Sequence, residues 1–170
     1  MKKIVALFLA MILCLSAVSA LADTYGTYLY TKVSKAANAG EKDGSYEVLT
    51  TVCSLVLDDE GKIKHVKFDT AQTKVGFTAA GAATVEAGTV VPSKEEKQDA
   101  YGMRKASPIG KEWFEQAAAL EAWCIGKTVA EVLAAPLNNG YPTDVDLVAG
   151  CTMGISDYLV ALEKAAALAK

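Results

Sequence analysis

Apolar positions in the first half of the chain follow the pattern of β-strands. Residues 26–34, 46–58 and 62–70 are rich in β-branched and aromatic residues. The second of these segments is apolar on both faces near its end, which is typical of a central strand. Residues 72–83 indicate a weaker strand interrupted by a glycine and alanine loop, and residues 84–92 are predicted to hold another short strand.

In the second half, the apolar positions recur with helical spacing. Two long helices are predicted to bury one face each, and the first is expected to open at Pro108 and to end at Gly126. The buried positions are Trp113, Ala117, Leu120 and Cys124 in the first helix, and Ile155, Leu159, Leu162 and Ala166 in the last. Capping-box sequences at 93–96 and 128–131 predict two short helices. The pattern predicts an α+β fold, a small antiparallel sheet packed by helices collected on one side.

The first 22 residues have the layout of an export signal. Two lysines precede an apolar run at 4–15, and Ala20–Ala22 matches the A-x-A rule for cleavage before Asp23. The apolar run is too short to cross a bilayer as a stable helix. We therefore expect a signal peptide over residues 1–22, a single domain over residues 23–170, and an exported protein, periplasmic or extracellular, with no membrane span.

The charge balance argues against nucleic acid as a partner. The chain has 17 Lys and Arg against 20 Asp and Glu, a net charge of −3. Loss of Lys2 and Lys3 with the signal would leave 15 minus 20, or −5. No basic run offsets this imbalance, so nucleic acid and anionic lipid are poor partners.

The residues needed for hydrolytic or metal chemistry are scarce. His65 is the only histidine and lies in an alternating strand pattern. Cys53, Cys124 and Cys151 are far apart in sequence, so they form neither a CxxC pair nor a zinc knuckle. Export would permit one disulfide and leave one thiol over, while Cys53 and Cys124 also suit small core residues. We therefore predict no catalytic residues and no metal site.

Four small residues, Ala149-Gly150-Cys151-Thr152, precede the last helix. Small residues let a backbone approach a phosphate, and a helix N-terminus offers unpaired N–H groups with a partial positive charge. A structural explanation is equally open, in which Thr152 or Ser156 caps the helix and the small residues permit a sharp turn or close packing.

Aromatic residues offer a second, weaker indication of a ligand. Trp113 and Trp123 share one predicted helix, where core packing is the usual explanation for tryptophan. Tyr101 and Tyr141 lie in predicted loops, where a flavin ring or a nucleobase could stack on them.

The stretch from Asp146 to Thr152, D-L-V-A-G-C-T, resembles the D-x-x-S-G-A-T signature of the FMN-binding domain family. Members of that family are exported or membrane-attached flavoproteins. Asp146, Gly150 and Thr152 match the signature, whereas Ala149 replaces the usual serine or threonine and Cys151 replaces the usual alanine. This chain therefore resembles a divergent subfamily.

The resemblance extends over most of the chain, because D-G-S-Y at 43–46 and D-D-E-G-K-I at 58–63 are similar to elements that open that domain. It implies an FMN-binding-domain-like fold in which Thr152 is joined to FMN by a phosphoester bond, Gly150 gives clearance and Asp146 orients the turn. A flavin transferase would form the bond, and the protein would carry electrons to a redox partner protein. Non-covalent FMN is an alternative, as is a non-catalytic binding or interaction module on the same scaffold that has lost flavin attachment.

Overall fold

A computed structural model describes residues 22–170. Its main sheet has three antiparallel strands in the order β1 (Thr24–Ala37), β2 (Gly44–Leu57) and β3 (Ile63–Phe77). The central position expected for the second strand is confirmed. The predicted signal peptide, apart from Ala22, lies outside the described residues.

The third strand is longer than the sequence pattern suggested. It continues without interruption to Phe77, because β2 is long enough to pair with it along its whole length, as far as Gly44. The prediction of a separate strand over residues 72–83 is therefore wrong, because residues 72–77 continue β3.

The short strand predicted over residues 84–92 is also wrong, and one contact with β3 and one turn satisfy part of that backbone instead. The N–H of Thr84 donates to the carbonyl of Gly76, and the N–H of Thr89 donates to the carbonyl of Glu86. Gly88 has a φ of 87°, in the left-handed region that a strand does not use.

After the sheet, the chain forms helices, a 3₁₀ turn and a small hairpin, joined by loops. They are α1 (Lys94–Lys97), a 3₁₀ turn (Gln98–Tyr101), α2 (Trp113–Cys124), α3 (Val129–Leu133), a small hairpin of β4 (Leu137–Asn138) and β5 (Tyr141–Pro142), α4 (Val145–Val148) and α5 (Ser156–Leu168). Both predicted capping boxes are present at the starts of α1 and α3. None of the helices in residues 22–170 is long and apolar enough to cross a membrane.

The start predicted for α2 is wrong by several residues. The helix begins at Trp113, not at Pro108, with Glu112 as its N-cap. Residues 103–110 form turns, in which the N–H groups of Ala106 and Ser107 both donate to the carbonyl of Met103 and the N–H of Gly110 donates to the carbonyl of Ser107. These turns bring the backbone of residues 103 and 104 to the Glu112 carboxylate, which replaces proline as the start signal.

The predicted apolar faces form the core. All four positions in α2 are at most 1% exposed. Leu159 and Leu162 of α5 and the preceding Ile155 are buried, and Ala166 is half-buried. Helix α5 packs on β1 and β2, and α2 packs on β3. The helices therefore cover one face of the sheet, and the α+β class is confirmed.

Cys53, Cys124 and Cys151 are free, fully buried thiols. Burial raises the pKa of Cys53 and of Cys124 to about 12, and that of Cys151 to about 11. The structure therefore favours the small-core-residue alternative over a disulfide.

Candidate functional site

The first part of the predicted motif is exposed. Asp146 lies on α4, whose N-cap Asp144 accepts hydrogen bonds from the N–H groups of Asp146 and Leu147 through its carboxylate. Both Asp146 and Ala149, the C-cap of α4, are exposed to solvent. Neither residue is engaged in the core, so both remain accessible to a ligand or to another protein.

The middle of the motif packs against α2. A Cβ atom added to Gly150 would lie 2.6 Å from the Cβ of Ala119, so only glycine lets the loop approach this closely. Cys151 follows with no exposed surface. Close packing on a neighbouring helix thus accounts for the small size of residue 150.

A buried glutamine holds the end of the motif. The Oε1 atom of Gln116 accepts the N–H of Thr152 at 2.8 Å, the N–H of Met153 at 3.1 Å and the hydroxyl of Thr152 at 3.3 Å. Its Nε2 atom donates to Ser107 Oγ at 3.0 Å and to the Lys111 carbonyl at 3.1 Å. Gln116 therefore fixes the loop from inside the protein.

The sequence reasoning missed Gln116, although a signal was present. Gln116 follows Trp113 by three positions and directly precedes Ala117, so it lies on the predicted apolar face of α2. A polar side chain on a buried helical face requires hydrogen-bond partners. That requirement could have identified Gln116, though not which backbone it would hold.

A cavity of about 180 Å³ opens at the N-terminus of α5, directly after the motif. Its lining residues are Lys32, Asn139, Gly140, Tyr141, Gly154, Ser156 and Asp157. Helix α5 begins without a side-chain cap, and its N-cap residue is Ile155. The expectation that Thr152 or Ser156 caps this helix is wrong, because Thr152 bonds to Gln116 and Ser156 is already the first helical residue.

The β4–β5 turn is fastened to this helix start. The carbonyl of Gly140 accepts the N–H of Ile155 at 2.8 Å. Gly140 has a φ of 84°, which strongly favours glycine, and a Cβ atom there would lie 2.7 Å from Ser156 Oγ, so the serine hydroxyl would have to turn away. The turn thereby presents Tyr141, which is 55% exposed, at the cavity.

Lys32 supplies positive charge at the cavity. Its Nζ atom lies 2.8 Å from Oδ1 of Asp157, which is in the first turn of α5. The lysine side chain is 40% exposed and that of the aspartate 22%, so the pair lies at the boundary between core and solvent. Asp157 lines the same cavity and balances the charge of Lys32, so an anionic group would compete with Asp157 for the Lys32 ammonium and would also meet the partial positive charge of the helix N-terminus.

Lys94 and Tyr101 form a second cluster of polar side chains, apart from the cavity at α5. The Nζ atom of Lys94 lies 4.8 Å from the ring centroid of Tyr101 and 5.7 Å from that of Trp113. Burial lowers the pKa of Lys94, against the opposing influence of Glu47 and other carboxylates. Tyr101, one of the two predicted ligand-stacking residues, is fixed by a hydrogen bond of 3.2 Å from its hydroxyl to Gln72 Oε1.

A larger cavity, of about 600 Å³, lies elsewhere, and neither cavity is lined by a residue of the Asp146–Thr152 motif. The larger cavity is lined by Asp99, Gly102, Arg104, Lys105 and Glu112. The guanidinium of Arg104 is already paired with Asp99 at 2.6 Å and with Glu115 at 2.7 Å. The smaller cavity at α5 is therefore the better candidate for function, because it adjoins the motif.

Comparison with known proteins gives one partial relationship. No family model matches the chain, and no solved structure matches it. The chain is 37% identical over 120 residues to a protein named chlorophenol reductase from Desulfitobacterium hafniense. The match covers 61% of this chain and 36% of the relative, so the chain spans only about a third of that protein's length.

Proposed function

We propose that this protein is an exported, FMN-binding-domain-like electron carrier that holds flavin at the N-terminus of α5. The observation that carries the proposal is the cavity between Lys32 and the uncapped helix start, immediately after the Asp146–Thr152 motif. The order of parts, with the sheet first, the motif late and a helix last, agrees with the resemblance. The partial similarity to a protein named as a reductase supports a redox role.

The surroundings of Thr152 fit a covalent attachment. Of the three hydrogen bonds that Gln116 Oε1 accepts, the one from the Thr152 hydroxyl is the longest, at 3.3 Å. A carbonyl oxygen has two lone pairs, so this third bond is the weakest of the set. Converting the hydroxyl to a phosphoester would leave both backbone bonds to Gln116 in place, and the loop would keep its shape.

Lys32 and the first turn of α5 are the groups that would hold the phosphate. The ammonium group offers donors and charge, and the helix start offers backbone N–H groups without a side-chain cap. Tyr141 is the aromatic side chain best placed to contact a ring system at the cavity mouth. Bound flavin would supply one- and two-electron redox chemistry, while the protein would supply position and potential.

The proposed partners follow from this role. A flavin transferase would recognise the exposed part of the motif, where Asp146 and Ala149 are accessible. A redox partner protein would exchange electrons with the flavin.

A second candidate is a non-catalytic binding or interaction module on the same scaffold. It is favoured by the packing of Gly150 on Ala119 and by the bonds of Gln116 to the Thr152 and Met153 amides. These contacts give most of the motif a structural role that needs no flavin. In this case the small residues would be retained for packing alone.

The test is a visible spectrum and an intact mass of the full chain, produced with a flavin transferase and purified after export. Added mass of one FMN that survives denaturation would support the covalent carrier. Colour that is lost on denaturation would indicate non-covalent FMN. A colourless protein of unmodified mass would overturn the flavin proposal and favour the interaction module.

Three variants identify the attachment residue. Thr152→Ala should abolish the added mass, and Thr152→Ser should retain part of it because the hydroxyl remains. Ser156→Ala removes the hydroxyl that lines the cavity and should leave attachment intact. Retained attachment in Thr152→Ala, with loss in Ser156→Ala, would assign the bond to Ser156 instead.

A further inference from the structure

The face of the main sheet that points away from the helices remains open. On β1, Tyr25, Leu29 and Val33 are 63%, 60% and 60% exposed. They alternate with residues that face the core, and the register places them opposite Val56, Val52 and Val48 of β2. The open face is thus a continuous surface with stripes of large apolar side chains, and not a set of scattered exposed residues.

The centre of this face carries no charge. Between Tyr25 and Val33 on β1, and between Tyr46 and Val56 on β2, every residue on the open side is Tyr, Leu, Val, Thr or Ser. The charged residues on the open side of β3 are Lys67 and Asp69. The Nζ atom of Lys67 forms ion pairs with Glu95 at 3.3 Å and Glu121 at 3.4 Å, which belong to helices α1 and α2.

The hydroxyl groups of the face are already paired with each other. The Oγ1 atoms of Thr31 and Thr50 lie 3.1 Å apart, and Thr27 Oγ1 donates to Ser54 Oγ at 3.3 Å. Burying a hydroxyl is costly when it has no partner and far less costly when the bond is already made. The face can therefore be covered by an apolar surface without leaving these groups unsatisfied.

We propose that the open face is a homodimer interface, at which the same face of a second copy packs against it. Three strands of this length present a surface about 40 Å long and about 14 Å wide, or about 600 Å² per copy. Two copies would bury about 1,200 Å², the lower limit of stable protein interfaces. The part of this surface on β1 and β2 is neutral, apolar and internally bonded, which makes it complementary to itself, while the charged residues of the face lie on β3 at one edge.

The dimer is a sandwich of two sheets packed face to face. Such sheets lie about 10 Å apart with their strands within about 30° of each other. The helices and the cavity at Lys32 remain on the outer surfaces of both copies, because they lie on the opposite face of the sheet. The proposal is therefore independent of whether flavin is bound.

The test measures the mass of the protein in solution by sedimentation equilibrium, with the protein purified after expression of the full chain. At micromolar concentration, the mass measured for the wild type should be twice the mass of one chain. Val33→Lys would place an unpaired charge in an uncharged interface, and its dissociation constant should rise about a hundredfold or more. The matched control is Val90→Lys, the same change at a loop residue that is 85% exposed, and it should remain dimeric.

Circular dichroism and thermal unfolding of the Val33→Lys variant distinguish loss of the interface from loss of the fold. A folded, monomeric Val33→Lys with a dimeric Val90→Lys would support the proposal. A wild type that stays monomeric at all concentrations, or a Val33→Lys variant that stays dimeric, would overturn it. Binding of the monomer to zwitterionic lipid vesicles through this face would also overturn it, since a lipid surface would then be the occupant.

Discussion

Helix α2 begins at a buried carboxylate, whereas helix α5 begins with no side-chain cap. Glu112 is 1% exposed and accepts the N–H groups of Met103, Arg104 and Trp113 at 2.6, 2.9 and 3.2 Å. The N–H of Glu112 is in turn bound by Glu115, which completes a capping box. At α5 the corresponding position is Ile155, and the nearby charged groups, Lys32 and Asp157, line a cavity.

The difference distinguishes a helix start closed by side chains from one that side chains leave open. The two helices have similar lengths and share one core, so packing does not explain why one start is closed and the other open. Unpaired N–H groups at a helix start are satisfied by side chains, by water or by a ligand. The start that follows the motif is the one without a side-chain cap, which is the arrangement expected if a ligand takes that place.

Removing the Glu112 cap at the start of α2 should have the largest effect on the free energy of unfolding. Glu112→Ala removes a charged acceptor from three backbone N–H groups in the interior and should lower the free energy of unfolding by about 3 kcal/mol. Urea denaturation monitored by circular dichroism measures this. Glu115→Ala removes only the more exposed half of the capping box and should cost about 1 kcal/mol. Equal losses in the two variants would contradict the role assigned to Glu112.

Releasing the motif loop should have the next largest effect. Gln116→Leu keeps the volume of the side chain and leaves the N–H groups of Thr152 and Met153 without a partner, which should cost about 2 kcal/mol. Amide hydrogen exchange at residues 152 and 153 should become faster, while exchange in α2 changes little. Gln98→Leu, at an exposed position where one hydrogen bond to the Glu95 carbonyl is lost, is the control and should leave exchange at residues 152 and 153 unchanged. Unchanged exchange at residues 152 and 153 in Gln116→Leu would show that another group holds the loop.

The contribution of Glu112 to the stability of the protein should decrease gradually as the pH is lowered. Burial tends to raise the pKa of Glu112, but the backbone N–H groups of Arg104, Met103 and Trp113 outweigh it, and the pKa lies below the ordinary value of 4.5. A carboxyl group whose pKa is lowered by folding stabilises the protein above its unfolded pKa, and that contribution is lost as the pH falls through the folded pKa.

The corresponding measurement compares the wild type with Glu112→Gln by urea denaturation between pH 7 and about pH 3. The stability advantage of the wild type should be constant above the unfolded pKa and should shrink below it. The change should be smaller than that of Glu112→Ala, because a protonated carboxyl group still accepts hydrogen bonds. An advantage that grows on acidification would reverse the sign assigned to this group.

A substitution at the start of α5 should have the smallest effect on stability and the largest effect on ligand binding. Lys32→Met breaks an ion pair at the solvent boundary and should change the free energy of unfolding by about 0.5 kcal/mol or less. The same variant should retain less FMN, since it removes the cation that lines the cavity. Lys35→Met, at a lysine that is 76% exposed and 3.6 Å from Glu47, is the matched control and should retain FMN normally. Equal retention in the two variants would exclude Lys32 from the phosphate site.

Local sequence signals predicted most of the elements. Alternation identified the strands, and the spacing of Trp113, Ala117, Leu120 and Cys124 identified the buried face of α2. The capping boxes at the starts of α1 and α3 are contained within four residues each, so they could be read directly. The errors arose where distant residues decide the outcome, as at the end of β3, whose length is set by its pairing with β2.

The candidate site divides in the same way. The sequence by itself determined the small residues of the motif, the amphipathic helix after them and the single-sided helical layer, because each depends on side chains close together in the chain. Only the tertiary structure decided that Gln116, 36 positions before Thr152, binds the motif backbone, and that Lys32, 125 positions before Asp157, reaches the start of α5. Such contacts join separate elements through the packing of the whole core, and no local pattern specifies the partner.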